Sequence, residues 1–201
     1  VTAPTRSAIP TTYRGTNFRS RLEARWAAFF DLVGWRVVYE VGEGDRYLPD
    51  FLVLGDWPFF VEVGPCVTRS EYAAKSRDAD RSASQLGRDV LVVGVSPVAW
   101  REPDPLEHAA AGLFGELLRD PEDGSVLDWS AGMWGRCFTC RAVGVVHDYQ
   151  TFALRPCGHH QGGSWGDHIR SDELEALWRH AGNDTQWQPE SVGSIIRRLG
   201  R

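Results

Sequence analysis

Lysine is almost missing from this chain of 201 residues: of its 22 basic residues all but Lys75 are arginine. Arginine is a permanently charged fork, so a compact, tunable ammonium is available at one position only. Long apolar runs are also missing. None approaches the roughly 20 residues of a membrane-spanning helix, and the opening VTAPTRSAIPTTYRG has no apolar centre of a secretory signal. The expectation is a cytoplasmic protein with no membrane partner. A surplus of positive charge is absent too, the formal net charge being −5. That excludes coating nucleic acid by bulk charge but leaves local basic patches. Cysteine is scarce, and the four present are unevenly placed: Cys66 stands alone, while Cys137, Cys140 and Cys157 lie near His159 and His160. In a reducing compartment that pattern favours a metal over disulfides. There is no internal repeat or low-complexity tract, and a homodimer is left open.

What is present reads as an α/β protein. Residues 1–15 are rich in Thr, Pro and Ser and read as a loose arm. From Asn17, the spacing of Phe18, Leu22, Trp26, Phe29, Phe30 and Val33 describes one apolar helix face closed at Gly34. WRVVYE, RYLPDFLVL and PFFVEV read as three strands, with VGEGD and GDW as the turns between them. RSEYAAKSRDADRSASQLG reads as a polar helix ended by Gly87, and DVLVVGV as a strand covered on both faces. The order helix, three strands, helix, strand spans residues 16–96. A further helix is expected over LEHAAAGLFGELLRD, which extends the core region to 16–120. Residues 121–201 read as a metal-binding and helical region, with helices at SDELEALWRHAG, capped by Ser171, and at ESVGSIIRRLG.

Two acids interrupt the apolar run YLPDFLVLGDWPFFVEVGP. A hairpin centred on Asp56 sets Leu52 opposite Phe60 and Asp50 opposite Glu62, so that both acids share one face. Directly opposed side chains have Cβ atoms about 4.5–5.5 Å apart, close enough to hold one cation. Oxygen ligands alone suit Mg²⁺ or Mn²⁺ better than Zn²⁺. The alternative is a wet hairpin end with both acids in solvent, against which Glu62 sits between Val61 and Val63, a poor place for an idle charge.

Pro49 and Asp50, Glu62 in VEVG, a preceding helix bearing Glu23, and a following helix and apolar strand resemble the PD-(D/E)XK nuclease superfamily, with its restriction-endonuclease-like fold. YRGTNFRSRLEARWAAFFDLVGWRVVYE and YLPDF resemble its actinobacterial and phage-borne members, whose third strand reads Val-Glu-Val-Lys-Gly-Pro. The resemblance covers about the first half of the chain. It implies that Asp50 and Glu62, joined by the Val63 carbonyl, hold Mg²⁺ or Mn²⁺, that Glu23 supplements them, and that a lysine orients the attacking water. Here the lysine is missing: Gly64 stands in its place, with Pro65 kept. Some relatives move that lysine onto the next helix, where this chain has Lys75. Glu23 and Lys75 each have a plainer reading. Ser20 and Glu23 have capping-box spacing, and Lys75 fits a solvated helix face.

Cys137 and Cys140 form a Cys-x-x-Cys pair, and Cys157 and His160 a Cys-x-x-His pair, with His159 as rival fourth ligand. Such a set suits tetrahedral Zn²⁺ in a closed, structural site, as in a zinc ribbon. Arg141 follows Cys140 where a knuckle often carries glycine. His147 and His168 read as ordinary histidines. Arg14, Arg19, Arg21 and Arg25 around the first helix form a candidate phosphate-binding patch, or else a solvated face; Arg197 and Arg198 form a weaker one. The leading expectation is a Mg²⁺-dependent nuclease acting on DNA. The alternative, which Gly64 favours, is a catalytically silent nuclease-fold module that binds DNA or a protein partner.

Overall fold

The computed structural model describes residues 8–40, 49–56, 58–101, 109–120, 124–147, 153–154, 157, 159 and 166–186. Chain entry is more ordered than its composition suggests. Inside the expected arm, β1 (Thr11–Tyr13) pairs with β2 (Thr16–Phe18) across a two-residue turn. Arg14 and Gly15 both have positive φ, 45° and 81°, as the tight hairpin turn that matches strand twist requires. An arginine held there costs about 1–2 kcal/mol relative to glycine. This hairpin displaces the expected helix start. The helix α1 (Arg21–Leu32) begins after Ser20, whose hydroxyl accepts from the Glu23 N–H at 3.1 Å, so Ser20 is the N-cap and not a first-turn residue.

The remaining strands build one sheet. They are β3 (Arg36–Tyr39), β4 (Phe51–Leu54), β5 (Phe59–Val63), β6 (Val90–Val93), β7 (Trp100–Arg101), β8 (Ala109–Asp120), β9 (Gly124–Cys137), β10 (Val143–His147), β11 (Ala153–Leu154) and β12 (Gly166–His168). Among the described residues the sheet order is β11-β10-β9-β8-β6-β5-β4-β3, with β7 beside β8 and β12 beside β9. The pair β5–β6 is parallel and is joined through α2 (Arg69–Leu86); every other pair is antiparallel. The hairpin β4–β5 has the expected register, with Leu52 facing Phe60.

Strand alternation separates two cores. Phe51, Val53, Phe59, Val61, Leu91, Val93 and Phe114 face α1 and α3 (Ser171–Asp184), while Phe60, Val90 and Val92 pack with Tyr72 and Ala79 of α2. The larger core is aromatic. Trp26 lies 4.8 Å from Trp178 and Trp35 5.4 Å from Trp134 between ring centroids, contacts worth about 0.5–1.5 kcal/mol each beyond burial. The buried indole N–H groups are satisfied across the sheet: Trp26 donates to Gly94 O, Trp35 to Val143 O and Trp134 to Pro97 O, at 2.7–2.8 Å.

Of the stretch 106–120 expected as a helix, the described part, Ala109–Asp120, is a strand. LEHAAAGLFGELLRD is rich in helix formers, but β8 pairs with β6 on one side and β9 along its length on the other, and pairing overrides a weak propensity. Gly112 is the local reason. A Cβ there would lie 2.0 Å from Val92 O, so only glycine lets the strands approach, and the register shifts between Ala110 and Gly112. The line drawn at residues 120 and 121 falls between β8 and β9 of one continuous sheet. Ser171 is the first residue of α3, not its cap, and Arg170 occupies the N-cap without a side-chain bond. The turn VGEGD, the terminal helix at ESVGSIIRRLG, Arg197 and Arg198 lie outside the described residues. No described helix is long and apolar enough to cross a membrane.

Candidate functional site

The C-terminal ends of β5 and β6 and the start of β4 lie at one end of the sheet, and the acids gather there. Asp50 and Glu62 are each 3% exposed and Glu23 9%. Asp50 immediately precedes β4, and its Oδ2 accepts from the Val63 N–H at 2.7 Å. The residue whose carbonyl was expected at the metal is thus tied to Asp50 through its amide. Glu62 sits on the α2 face of β5, where Lys75 Nζ pairs with its Oε1. Its Oε2 is buried with no hydrogen-bond partner among the described residues. Such an orphaned oxygen costs free energy in the absence of a cation or donor.

Glu23 serves two roles that looked like alternatives. Its N–H is capped by Ser20, whose hydroxyl also donates to Glu23 Oε1 at 2.8 Å. Its Oε2 accepts from the Tyr39 hydroxyl, and its charge helps raise the pKa of Asp50. Burial is the larger cause of that rise, followed by the charge of Glu62; together they push the Asp50 carboxyl up to about 7 against the pull of the Val63 N–H and Arg19. Arg19 pairs with Asp50 Oδ1 and, at 2.8 Å, with Glu40 Oε1.

Lys75 reaches the site from the second turn of α2. Its stem lies over Gly64: a Cβ built there would meet Lys75 Cγ at 3.3 Å and Cys66 Sγ at 2.9 Å. A side chain at position 64 and this placement of Lys75 therefore compete for one space.

The four arginines of the expected patch differ in their surroundings. Arg19 belongs to the acid cluster, Arg14 pairs with Asp31 at 3.0 Å, and Arg21 is exposed. Arg25 donates to Trp178 O from Nε at 3.1 Å and lies over the Trp178 ring at 4.0 Å, fastening α3 to α1. Tyr39 and Glu40 are site residues that sequence reasoning missed. Tyr39 pairs with Phe51, next to Asp50, so the same register argument applied one strand further would have found it. Burial, then the bond to Glu23, pushes the Tyr39 hydroxyl up to about 12.

The second cluster lies at the same end of the sheet, beyond β8. Cys137 ends β9, Val143 begins β10, and the turn between them carries Cys140. Ligand atoms of Cys137, Cys140, Cys157 and His159 all lie within 4.8 Å of one another. Among the described residues the fourth member is His159; His160, the first expectation, lies outside them. Arg141 takes φ 64°, the left-handed conformation that glycine usually supplies in a knuckle, and its N–H donates to Cys137 O at 3.0 Å. Burial raises the Cys137 thiol, but N–H donors at Cys140 and Thr139 reverse this and leave its pKa lowered. Three thiols and one imidazole form a set able to hold a metal such as zinc. His168 is half-buried in β12 and is not one of this set.

Against protein-family models, curated proteins and solved structures, the chain has no match.

Proposed function

We propose that the chain is a metal-dependent nuclease that hydrolyses phosphodiester bonds of DNA on a restriction-endonuclease-like core formed by α1, β3, β4, β5, α2 and β6. The observation that carries this reading is Lys75, whose ammonium meets Glu62 while its stem fills the space over Gly64. A lysine that has moved to the next helix requires this geometry. The donor set fits Mg²⁺ or Mn²⁺: Asp50 and Glu62 are buried oxygen donors, and Glu62 Oε2 lacks a partner. When bound, such an ion supplies Lewis acidity that activates water and offsets charge on the phosphate. Within the chain, Glu23 and Tyr39 hold the edge of the site, Arg19 provides a mobile cation for a phosphate oxygen, and Lys75 Nζ orients the water. That water adds to phosphorus, the ester P–O bond breaks, and the leaving oxygen takes a proton. Zn²⁺ at Cys137, Cys140, Cys157 and His159 leaves no open position, so its role is structural.

A second reading is favoured by one observation. Arg19 and Lys75 already neutralise Asp50 and Glu62 from within the chain, as a silent module binding DNA or a protein would need. Incubation of plasmid, single-stranded DNA and RNA with Mg²⁺ or Mn²⁺ separates the two. Cleavage is expected for wild type and is expected to fall by about 100-fold or more in Lys75→Ala, an effect on the transition state, with no rescue by Lys75→Arg. A wild type that binds DNA and cuts nothing establishes the silent module. Equal cleavage by Lys75→Ala keeps the nuclease and removes Lys75 from its mechanism.

A further inference from the structure

Beside the acid cluster, between the β1–β2 hairpin, α1 and strands β3 and β4, lies a cleft of about 180 Å³. Its inner wall is the half-buried ring of Tyr39, backed by the buried rings of Phe18 and Phe51. Phe18 and Tyr39 rings stand 4.5 Å apart and Tyr39 and Phe51 5.4 Å apart, centroid to centroid. Its mouth is polar: Arg14 pairs with Asp31 Oδ2 at 3.0 Å, Tyr13 donates to the same oxygen, and Thr16 is exposed beside them. Tyr39 belongs to both sites, its ring lining the cleft and its hydroxyl bonded to Glu23.

We propose that this cleft receives a nucleobase of the strand whose phosphate lies at Asp50 and Glu62. The path of that strand rests on the nuclease reading; the chemistry of the cleft does not. A base presents a flat apolar face and a rim of hydrogen-bonding atoms, and proteins that take unstacked bases match these with aromatic rings and in-plane polar groups. The cleft supplies both. It lies below the roughly 300 Å³ at which sites for drug-sized ligands begin, the scale of a single ring system. An aliphatic side chain in its place would take the Arg14–Asp31 pair out of water without offering it a further hydrogen bond. The hairpin turn adds independent support, because it holds an arginine in the left-handed conformation that Asn or Gly adopts more readily, and such strain gathers at ligand clamps. The separation of base and phosphate follows from Tyr39, whose single ring spans the distance from cleft to acid cluster.

The test uses the full chain without divalent metal, titrated with each nucleoside 5′-monophosphate and with ribose 5-phosphate while backbone amide resonances are followed. Saturable shifts at residues 13–18 and 37–39 with at least one nucleotide, and not with ribose 5-phosphate, are expected. Thr16→Trp, at an exposed position where the fold should be kept and melting unchanged, is expected to weaken that binding by about tenfold or more. On a cleavable strand the same variant is expected to raise KM or lose a preference for the base beside the cut. Equal shifts with ribose 5-phosphate would assign the site to Arg14 and an anion and overturn the proposal. So would the absence of nucleotide shifts together with unchanged cleavage in Thr16→Trp, a result that leaves the nuclease standing. Nucleotide binding in a protein that cuts nothing keeps the cleft and removes the nuclease.

Discussion

The two clusters at the top of the sheet are opposites in how they are built. The sulfur cluster takes two of its candidate ligands from the end of β9 and the turn after it and the other two from a single short stretch, all within 4.8 Å of one another. The acid cluster draws Glu23 from α1, Asp50 from the start of β4, Glu62 from β5 and Lys75 from α2, and it carries its own cations. The thiols and the imidazole offer a set able to hold a metal, whereas the acids are already paired with Arg19 and Lys75; if both sites take metals, the first should matter more to the fold and the second more to the chemistry.

The sharpest way to break the comparison is to remove each metal in turn. Purified protein is expected to carry about one Zn²⁺ per chain by elemental analysis, and Cys137→Ser to destabilise it by several kcal/mol, since structural zinc contributes about 10 kcal/mol or more in small domains. Because β9 is shared with the rest of the sheet, the loss should lower the whole melting transition and not a C-terminal step alone. Removing Mg²⁺ should only undo the melting gain that Mg²⁺ confers. A zinc-free protein of full stability would erase the contrast.

Next in size is Lys75→Ala without metal. It leaves buried Glu62 unpaired and should cost about 2–3 kcal/mol in denaturant melts, somewhat below a fully buried pair because Lys75 is 26% exposed. Mg²⁺ should recover part of that loss, and no recovery would mean that the ion does not bind at Glu62. The pH dependence sharpens the same point. Folded Asp50 keeps its proton to about pH 7, whereas the unfolded chain releases it near 3.8. Its contribution is therefore full below pH 3.8 and is lost as pH rises through 7. Metal-free Asp50→Asn should match wild type at acid pH and exceed it by about 2 kcal/mol at pH 8, and should lose the Mg²⁺ gain. The smallest effect belongs to Arg25→Ala, expected to cost about 1–2 kcal/mol through the lost Trp178 contacts while leaving DNA affinity unchanged.

Legibility in the sequence followed the range of the interaction. The hairpin register placing Asp50 and Glu62 together, the helix α2 and the buried strand β6 were all readable, because turn position and a period of two act over a few residues. So was the Cys-x-x-Cys turn. Which of His159 and His160 joins the thiols was not, since adjacent histidines have the same spacing to within one residue. Glu23 was ambiguous because its two roles, cap partner and site acid, use different atoms of one residue.

The sequence by itself determined which chemistry is available and over which short segments: one ammonium, two acids on paired strands, three thiols beside a histidine pair. Tertiary structure decided where each went. It turned an Ala- and Leu-rich stretch into β8, because hydrogen bonds to two neighbouring strands outweigh a propensity of a few tenths of a kcal/mol per residue. It set Arg25 over Trp178. It also set Lys75 over Gly64, a contact between a helix and a strand end that spacing does not encode, since the angle at which α2 leaves β5 is fixed by the packing of Tyr72 and Ala79 against the sheet.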